Sequence, residues 1–531
     1  MIAEALAGRR VAVTGATGFL GTALVERLLR CVPDCQVLPL VRPGRRAGAA
    51  ERVRRDILRN DAFDRLRKQW GDRFDDEIAR RVRPLGGDVS VDGLRLDDAD
   101  RAALAEADVV IHSAAAVSFD SPLDAAVAVN LLGPSRVAQA LTAAGSSAHL
   151  VAVSTAYVAG NRRGEAPEAL LTDTLFSTEV DWRAEVEAAR RARADVDAAS
   201  RQPKRLEGFV RQARRELGAA GTPLLAARAE RLRERWLADE MVEVGRARAR
   251  GLGWPDVYAY TKAMGEQALL DGRGDVPVTI VRPSIIESAL AEPKPGWIRG
   301  FRMAEPVIIS YARGLIRDFP GIPEGVCDVI PVDFVVAAIM AVAAAGPPAA
   351  DTPVYHAASG SVNPLAYGRM VDLVREWFLE HPLYDAEGQP VVVSTFSFPS
   401  RGKVRSRLKR GVSMLAAAER GLSALPGRGR TAELSSRLEE RRSQAERALG
   451  YVELYGTYAE TEAVFRVERL LELWESLDEE DRAVFAFDPA LIEWRSYFHD
   501  VHLPSVVEHS RVRTAPSRRT APRRSDRKSV V

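Results

Sequence analysis

Residues 11–21 read Val-Ala-Val-Thr-Gly-Ala-Thr-Gly-Phe-Leu-Gly and constrain the fold more than any other stretch of the chain. The apolar run 11–13 follows Arg9 and Arg10 and ends at Gly15, the pattern of a short buried strand. Gly15, Gly18 and Gly21 recur at every third position, and residues 22–30 continue as an amphipathic helix. One glycine permits a tight strand-to-helix turn, one lets backbone N–H groups approach a pyrophosphate, and one lets the helix close on the strand. The helix then turns its positive end toward the phosphates. Thr14, Gly15, Thr17, Gly18, Phe19, Leu20 and Gly21 are therefore the expected cradle of a dinucleotide. The same order of elements predicts an α/β chain built on a parallel sheet.

At 531 residues the chain has room for two or three compact units. Hydrophobic residues make up 46% and charged residues 28%, ordinary for a globular protein. The longest apolar helical run, 334–345, stops at Gly346-Pro347-Pro348, well short of bilayer thickness. The N-terminus is expected to lead straight into the first strand, with no signal peptide. Cys31, Cys35 and Cys327 cannot build a disulfide framework, and no Cys/His cluster has metal spacing; His499 and His502 read as a surface pair. A cytoplasmic setting and no metal are the resulting expectations. The formal charge of +2 hides an asymmetry: residues 510–531 carry eight Lys/Arg and one Asp, net +7, which leaves −5 for the rest. The body is thus not a nucleic-acid binder.

A second strand, 36–41, ends at Arg42. An acidic residue there would bind ribose hydroxyls, whereas an arginine suits a 2′-phosphate. Arg42, with Arg45 and Arg46 beyond it, points to NADPH; the competing reading is a solvated basic loop. A third strand is expected to end at Asp88 and Val89, beside an adenine ring. The fourth, 107–112, runs into a small-residue turn in which Ala114, Ala115 and Ala116 leave room for cofactor ribose. His112 reads as packed core rather than a catalyst, and Asn130 as a helix cap or an anchor for that turn. Strand five, 149–153, is followed by Ser154 and Thr155.

Serine or threonine at a strand end is often only a turn former, but a second motif gives it weight. Tyr258 and Lys262 stand four positions apart, on one face of a helix. With eleven Tyr and seven Lys in the chain, composition alone would produce such a pair about 0.15 times. A carbonyl that receives hydride builds charge on its oxygen, where a phenol can deliver a proton. A nearby ammonium brings that phenol down from a pKa near 10. Tyr258, Lys262 and Thr155 are the expected catalytic set, with Ser154 the alternative to Thr155. Tyr260 lacks the spacing to Lys262. Residues 161–253 form a charged helical insertion between Thr155 and Tyr258, read either as a solvated hairpin or as a cover over a substrate groove. A sixth strand, 276–281, leads to Pro283, Ser284 and Ile285, a wall for the nicotinamide.

The glycine loop, the strand-five Thr155 and the Tyr-x-x-x-Lys pair together resemble the extended short-chain dehydrogenase/reductases. That resemblance implies a Rossmann-type, doubly wound parallel sheet. Further motifs narrow it: Val-Ser-Thr-Ala-Tyr at 153–157, Val-Arg-Pro-Ser-Ile at 281–285, Glu-Pro-Lys-Pro-Gly-Trp at 292–297 and Ile-Pro-Val-Asp at 330–333. With Phe485 to Asp488 and Ile492 to Phe498, they resemble the fatty acyl-CoA reductases over about residues 8–505. The resemblance implies a catalytic domain over 1–385, a smaller, mainly helical C-terminal domain over 386–509 and a basic, disordered tail from 510. It also implies NADPH-dependent reduction of a fatty acyl-CoA to a fatty alcohol through a bound aldehyde, a step of lipid metabolism that feeds wax esters. Lys262 would also hold the nicotinamide ribose. The competing enzymatic reading is an acyl-CoA or acyl-carrier reductase that releases the aldehyde; the non-enzymatic one is a binding protein that keeps the fold. The basic run from Arg401 to Arg410, followed by apolar residues 412–415, suits peripheral contact with an anionic membrane as well as it suits a solvated helix.

Overall fold

The computed structural model describes the chain except residues 45, 119, 175–179, 219–222, 302–303, 386, 424–429, 513 and 516–531. Contacts divide it into two units. The first comprises Met1–Gly300, Glu324–Tyr367 and Thr457–Tyr497; the second comprises Phe301–Pro323, Gly368–Gly456 and Phe498–Val531. Residues 457–497, expected in the C-terminal segment, thus lie in the first unit.

Among the described residues, the first unit is organised on eleven strands. In chain order these begin with β1 (Arg10–Thr14), β2 (Gln36–Val41), β3 (Leu85–Gly86), β4 (Val109–His112) and β5 (His149–Val153). There follow β6 (Gly164–Ala166), β7 (Val278–Pro283), β8 (Ile285–Glu287), β9 (Val329–Pro331), β10 (Val354–Ala357) and β11 (Ala463–Phe465). Seven of them form one sheet in the order β10-β7-β5-β4-β1-β2-β3, every pair parallel. Side chains alternate between its faces. Ala12, Leu38, Leu40, Val110, Leu150, Ala152 and Ile280 share one core with Val137, Ala138 and Leu141 of helix Leu132–Ala143. The intervening Val11, Val13, Ile111 and Val151 are equally buried on the opposite face, where helices Phe19–Cys31 and Val332–Ala344 pack together. Burial on both faces is why these strands read as continuous apolar runs. Strand order reverses between β1 and β4, so the loops after those two strands flank a crevice of the kind where open α/β sheets bind ligands.

Several elements differ from expectation. A helix, Ile2–Leu6, precedes β1; its Ile2 and Leu6 are buried, and the Ile2 N–H donates to Asp481 at 2.5 Å. The third strand is only two residues long, so Asp88 and Val89 lie past its end in a turn closed by the Asp88 N–H on the Leu94 carbonyl at 2.7 Å. Beyond Ser284 the chain leaves the main sheet, and β8 pairs with β9. The insertion opens with β6, which pairs with β11, before three helices: Trp182–Ser200, Pro203–Leu217 and Leu225–Leu252. Residues 219–222, between the second and third of these helices, lie outside the described residues.

In the second unit, helices Arg401–Ser423 and Arg430–Tyr455 pack on each other, and Leu503–Ser510 packs on Glu305–Ala312. His502 is buried and the His499 ring meets the Leu373 carbonyl at 3.0 Å, so this pair is not the surface feature its spacing implied. Among the described residues no helix is long and apolar enough to cross a membrane, and no His/Cys/Asp/Glu group could hold a metal. All but a few residues of the basic tail lie outside the described residues.

Candidate active site

The turn after β1 is built so that only glycine fits. Gly15 has φ +73°, and a Cβ there would stand 2.6 Å from the Ala114 backbone nitrogen. A Cβ at Gly21 would stand 2.3 Å from the Gly15 carbonyl oxygen. The Gly18 N–H donates to that same oxygen at 2.8 Å, and helix Phe19–Cys31 starts at the next residue. Gly18 gives the helix no side-chain cap and its first turn holds no acid, so the helix's own residues leave its positive end uncompensated. The loop therefore fits a pyrophosphate. Thr14 does different work: its hydroxyl bonds the His112 ring at 2.8 Å and accepts from the Ala114 N–H at 3.2 Å, tying β1 to the turn after β4. Thr17 and Leu20 are half-buried, and the Phe19 ring stacks on Trp297 with centroids 5.1 Å apart.

The other expected cofactor residues line the C-terminal ends of the strands. Arg42 is exposed just past β2, and its carbonyl accepts from Arg52; Arg46 is exposed too, and Arg45 lies outside the described residues. The Asp88 carboxylate accepts from both the backbone and the hydroxyl of Ser90, at 2.9 and 2.7 Å, while Val89 is buried. Ala114 and Ala115 are half-buried in the turn after β4. Asn130 holds that turn from both sides, accepting from the Ala116 N–H at 2.7 Å and donating to its carbonyl at 3.1 Å. Pro283 ends β7, the Ser284 N–H donates to the Ala357 carbonyl at 3.0 Å, and Ile285 opens β8.

Tyr258 and Lys262 lie one turn apart on helix Val257–Gly272. The Lys262 ammonium donates to the Val153 carbonyl at the end of β5 at 2.7 Å, two residues before Thr155. The helix is thereby fixed to the strand end that carries Ser154 and Thr155. Burial brings the Lys262 pKa down to about 8, opposed in part by Glu266 one turn along. Burial also holds His112 near 3, with the Lys262 charge adding to it, so this ring is a neutral core group. The Thr155 hydroxyl contacts the Pro283 carbonyl at 3.4 Å and accepts from the Tyr157 N–H at 3.3 Å. The Ser154 hydroxyl is buried with no partner among the described residues, a vacancy in hydrogen bonding that a cofactor's polar group can fill.

Three supports of this helix lie outside the Tyr258–Lys262 spacing. Asp256 caps it, accepting from the Ala259 N–H at 2.8 Å, and receives the Tyr458 hydroxyl at 2.5 Å. Tyr260 is buried and donates to Glu185 of the insertion at 2.5 Å; Arg248, also from the insertion, pairs with the same carboxylate. Arg282 of β7 is buried in a two-point ion pair with Glu266 at 2.9 and 2.6 Å. An Asp just before an apolar helix is a recognisable cap signal. Glu185 and Tyr458 lie 75 and 202 positions from their partners, beyond any local pattern.

Residues 13–339 match an NAD-binding family model described as male sterility protein. The chain is 31% identical to a chloroplastic fatty acyl-CoA reductase of Arabidopsis thaliana, over 95% of its own length and 78% of the relative's. The chain belongs to the fatty acyl-CoA reductase family. It is 30% identical to an alcohol-forming fatty acyl-CoA reductase of Simmondsia chinensis, over 96% of this chain and 98% of that one. Among solved structures, the terminal R domain from the myxalamid PKS-NRPS pathway shares the fold, with a TM-score of 0.57 at 17% identity, over 96% of this chain and 93% of that one. The protein is thus an oxidoreductase with a Rossmann-type fold that uses a nicotinamide dinucleotide.

Proposed function

We propose that this reductase converts a long-chain fatty acyl-CoA to the primary alcohol at the expense of two NADPH. The observation that carries the reading is the bond from Lys262 to the Val153 carbonyl, which sets the Tyr258 helix against the strand end bearing Thr155. The bound dinucleotide would supply hydride to the acyl carbon. Tyr258 would deliver a proton to the carbonyl oxygen and Thr155 a second hydrogen bond, while the Lys262 ammonium eases release of the phenol proton. The resulting hemithioacetal loses CoA thiol as its C–S bond breaks. The aldehyde left behind presents a carbonyl to the same three side chains, so a second round yields the alcohol. A buried alkyl chain is held by about 0.8 kcal/mol per CH₂, which favours that round over release of a long aldehyde. Arg42, exposed at the end of β2, is our assignment for the 2′-phosphate.

Palmitoyl-CoA with NADPH tests this directly. Hexadecanol should form with two NADPH oxidised per CoA released, added hexadecanal should be reduced, and NADH should be a much poorer donor. Free aldehyde at one NADPH per CoA, with added aldehyde untouched, would replace the alcohol by the aldehyde as product. Equal efficiency with NADH would remove the assignment of Arg42.

For the membrane, the helix Arg401–Ser423 offers exposed Lys403, Arg410 and Met414, with Met414 73% exposed; Arg405 and Arg407 are partly neutralised by Glu453 and Asp318. We read this face as contacting anionic lipid. Sedimentation with phosphatidylserine vesicles should fall at high salt, and equal sedimentation with neutral vesicles would reject the contact.

A further inference from the structure

Tyr258 occupies the first turn of its helix, the part most prone to fray, because its backbone N–H groups have no carbonyl partners within the helix. Here that turn is not left to itself. Asp256, 6% exposed, is the cap residue, and its carboxylate accepts from the Ala259 N–H and from the N–H of Tyr258 itself. A buried carboxylate with one oxygen unsatisfied would be costly and free to turn. The Tyr458 hydroxyl adds a further bond, donating to Oδ2, the oxygen opposite the one that caps Ala259, at 2.5 Å. Tyr458 is itself held in place: its ring lies 4.7 Å from that of Tyr157, edge to face, and Tyr157 packs in turn on Phe465 at 5.2 Å. Tyr157 follows Thr155 by two residues, and its N–H bonds the Thr155 hydroxyl. One phenol therefore touches both arms of the site: the cap beneath Tyr258 and the ring beside Thr155. Burial, reinforced by Asp256, holds the Tyr458 phenol well above its ordinary range, so it keeps its proton.

We propose that Tyr458 is a positioning residue for the reduction, acting through Asp256 to hold Tyr258 in register with Thr155. The inference rests on the reading of Tyr258 as proton donor. It explains why a segment 200 positions downstream of the catalytic helix is packed into the same unit as the sheet. The Tyr458 hydroxyl donates its one hydrogen to Asp256, so the role assigned to it is in geometry and not in proton delivery to the substrate.

The test uses the full chain, palmitoyl-CoA and NADPH. Tyr458→Phe keeps the ring against Tyr157 and removes only the hydroxyl. It should lower kcat about tenfold, with KM for both substrates within twofold of the unmutated protein. Asp256→Ala should lower kcat at least as much, and Asp256→Asn, which still caps, should restore most of it. In the Tyr258→Phe background, Tyr458→Phe should change residual turnover by less than twofold, because the residue it positions is already gone. Amide exchange over residues 257–261 should quicken in Tyr458→Phe without a matching change in the strands of the sheet. Wild-type kcat in Tyr458→Phe, or a raised KM for palmitoyl-CoA with kcat unchanged, would overturn the proposal. So would an equal loss in the Tyr258→Phe background. Failure of the unmutated protein to oxidise NADPH with palmitoyl-CoA would instead count against the substrate reading; unchanged exchange at 257–261 would then still refute the positioning role.

Discussion

Tyr258 and Tyr260 sit two positions apart on one helix and point to unrelated tasks. Tyr258 shares a face with Lys262, whereas Tyr260 turns to the insertion, where its hydroxyl is spent on Glu185. Burial and that carboxylate push the Tyr260 phenol well above its ordinary range, so it holds its proton. Tyr258→Phe should lower kcat by roughly 10²–10⁴-fold with the melting temperature kept. Tyr260→Phe leaves Glu185 short of one donor and should cost about 1–3 kcal/mol of stability while kcat changes by less than tenfold. Paired thermal melts and steady-state rates separate the two; a Tyr258→Phe enzyme as active as Tyr260→Phe would refute the assignment of Tyr258. At this scale the sequence exposes whatever is local. The i, i+4 spacing of Tyr258 and Lys262 and the glycine triplet are each readable within a single element. The bond of Tyr260 to Glu185 depends on where the insertion packs, and no spacing rule reaches it.

Among elements, the glycine-loop helix and the sheet strands β1, β2, β4, β5 and β7 followed from pattern because each carries its own periodicity and boundary residues. β3 did not. Its two residues are a strand only because Leu85 and Gly86 find Leu40 and Val41 beside them, so its length is set by a partner and not by its own composition. The same distinction governs what glycine substitutions should do. At Gly21 the obstacle to a Cβ is the Gly15 carbonyl, backbone that cannot swing aside without opening the loop. Gly21→Ala should therefore cost at least the roughly 1–3 kcal/mol typical of overpacking, and weaken NADPH binding with it. Gly411, inside helix Arg401–Ser423, has nothing within 4 Å of its Cβ position. Gly411→Ala should raise stability by about 0.5–1 kcal/mol through helix propensity alone. Urea midpoints and a fluorescence titration with NADPH measure both; a Gly21→Ala protein as stable as Gly411→Ala would mean the loop has more room than its backbone contacts allow.

Across the whole molecule, stability depends on pH through buried groups that pull in opposite directions. His112, His149, His356 and His502 are all buried, and burial is the largest cause that lowers each pKa, to about 3 or 4. For His149 the folded value is about 4 against 6.5 for a free ring. Between those values the unfolded chain holds the extra proton, so this contribution is complete above pH 6.5 and is lost as pH falls toward 4. Glu168 behaves oppositely. Burial lifts it from 4.5 to about 7, although the N–H groups of His356, Arg469 and Leu470 pull it back down. There the folded chain holds the extra proton, and its contribution is lost as pH rises from 4.5 to 7. Each shift corresponds to about 3 kcal/mol at most, a sizeable part of the 5–15 kcal/mol by which folded domains usually survive. The two therefore mask each other between pH 4.5 and 6.5 in the unmutated protein, and single substitutions should unmask them. His149→Gln should make unfolding free energy rise less steeply with pH in that window, by up to one proton equivalent. Glu168→Gln should make it rise more steeply by a similar amount. Urea unfolding at half-unit steps from pH 4.5 to 7.5 reads both slopes against the parent. Slopes that move in the same direction, or not at all, would show that these two side chains do not carry the charges their burial assigns to them.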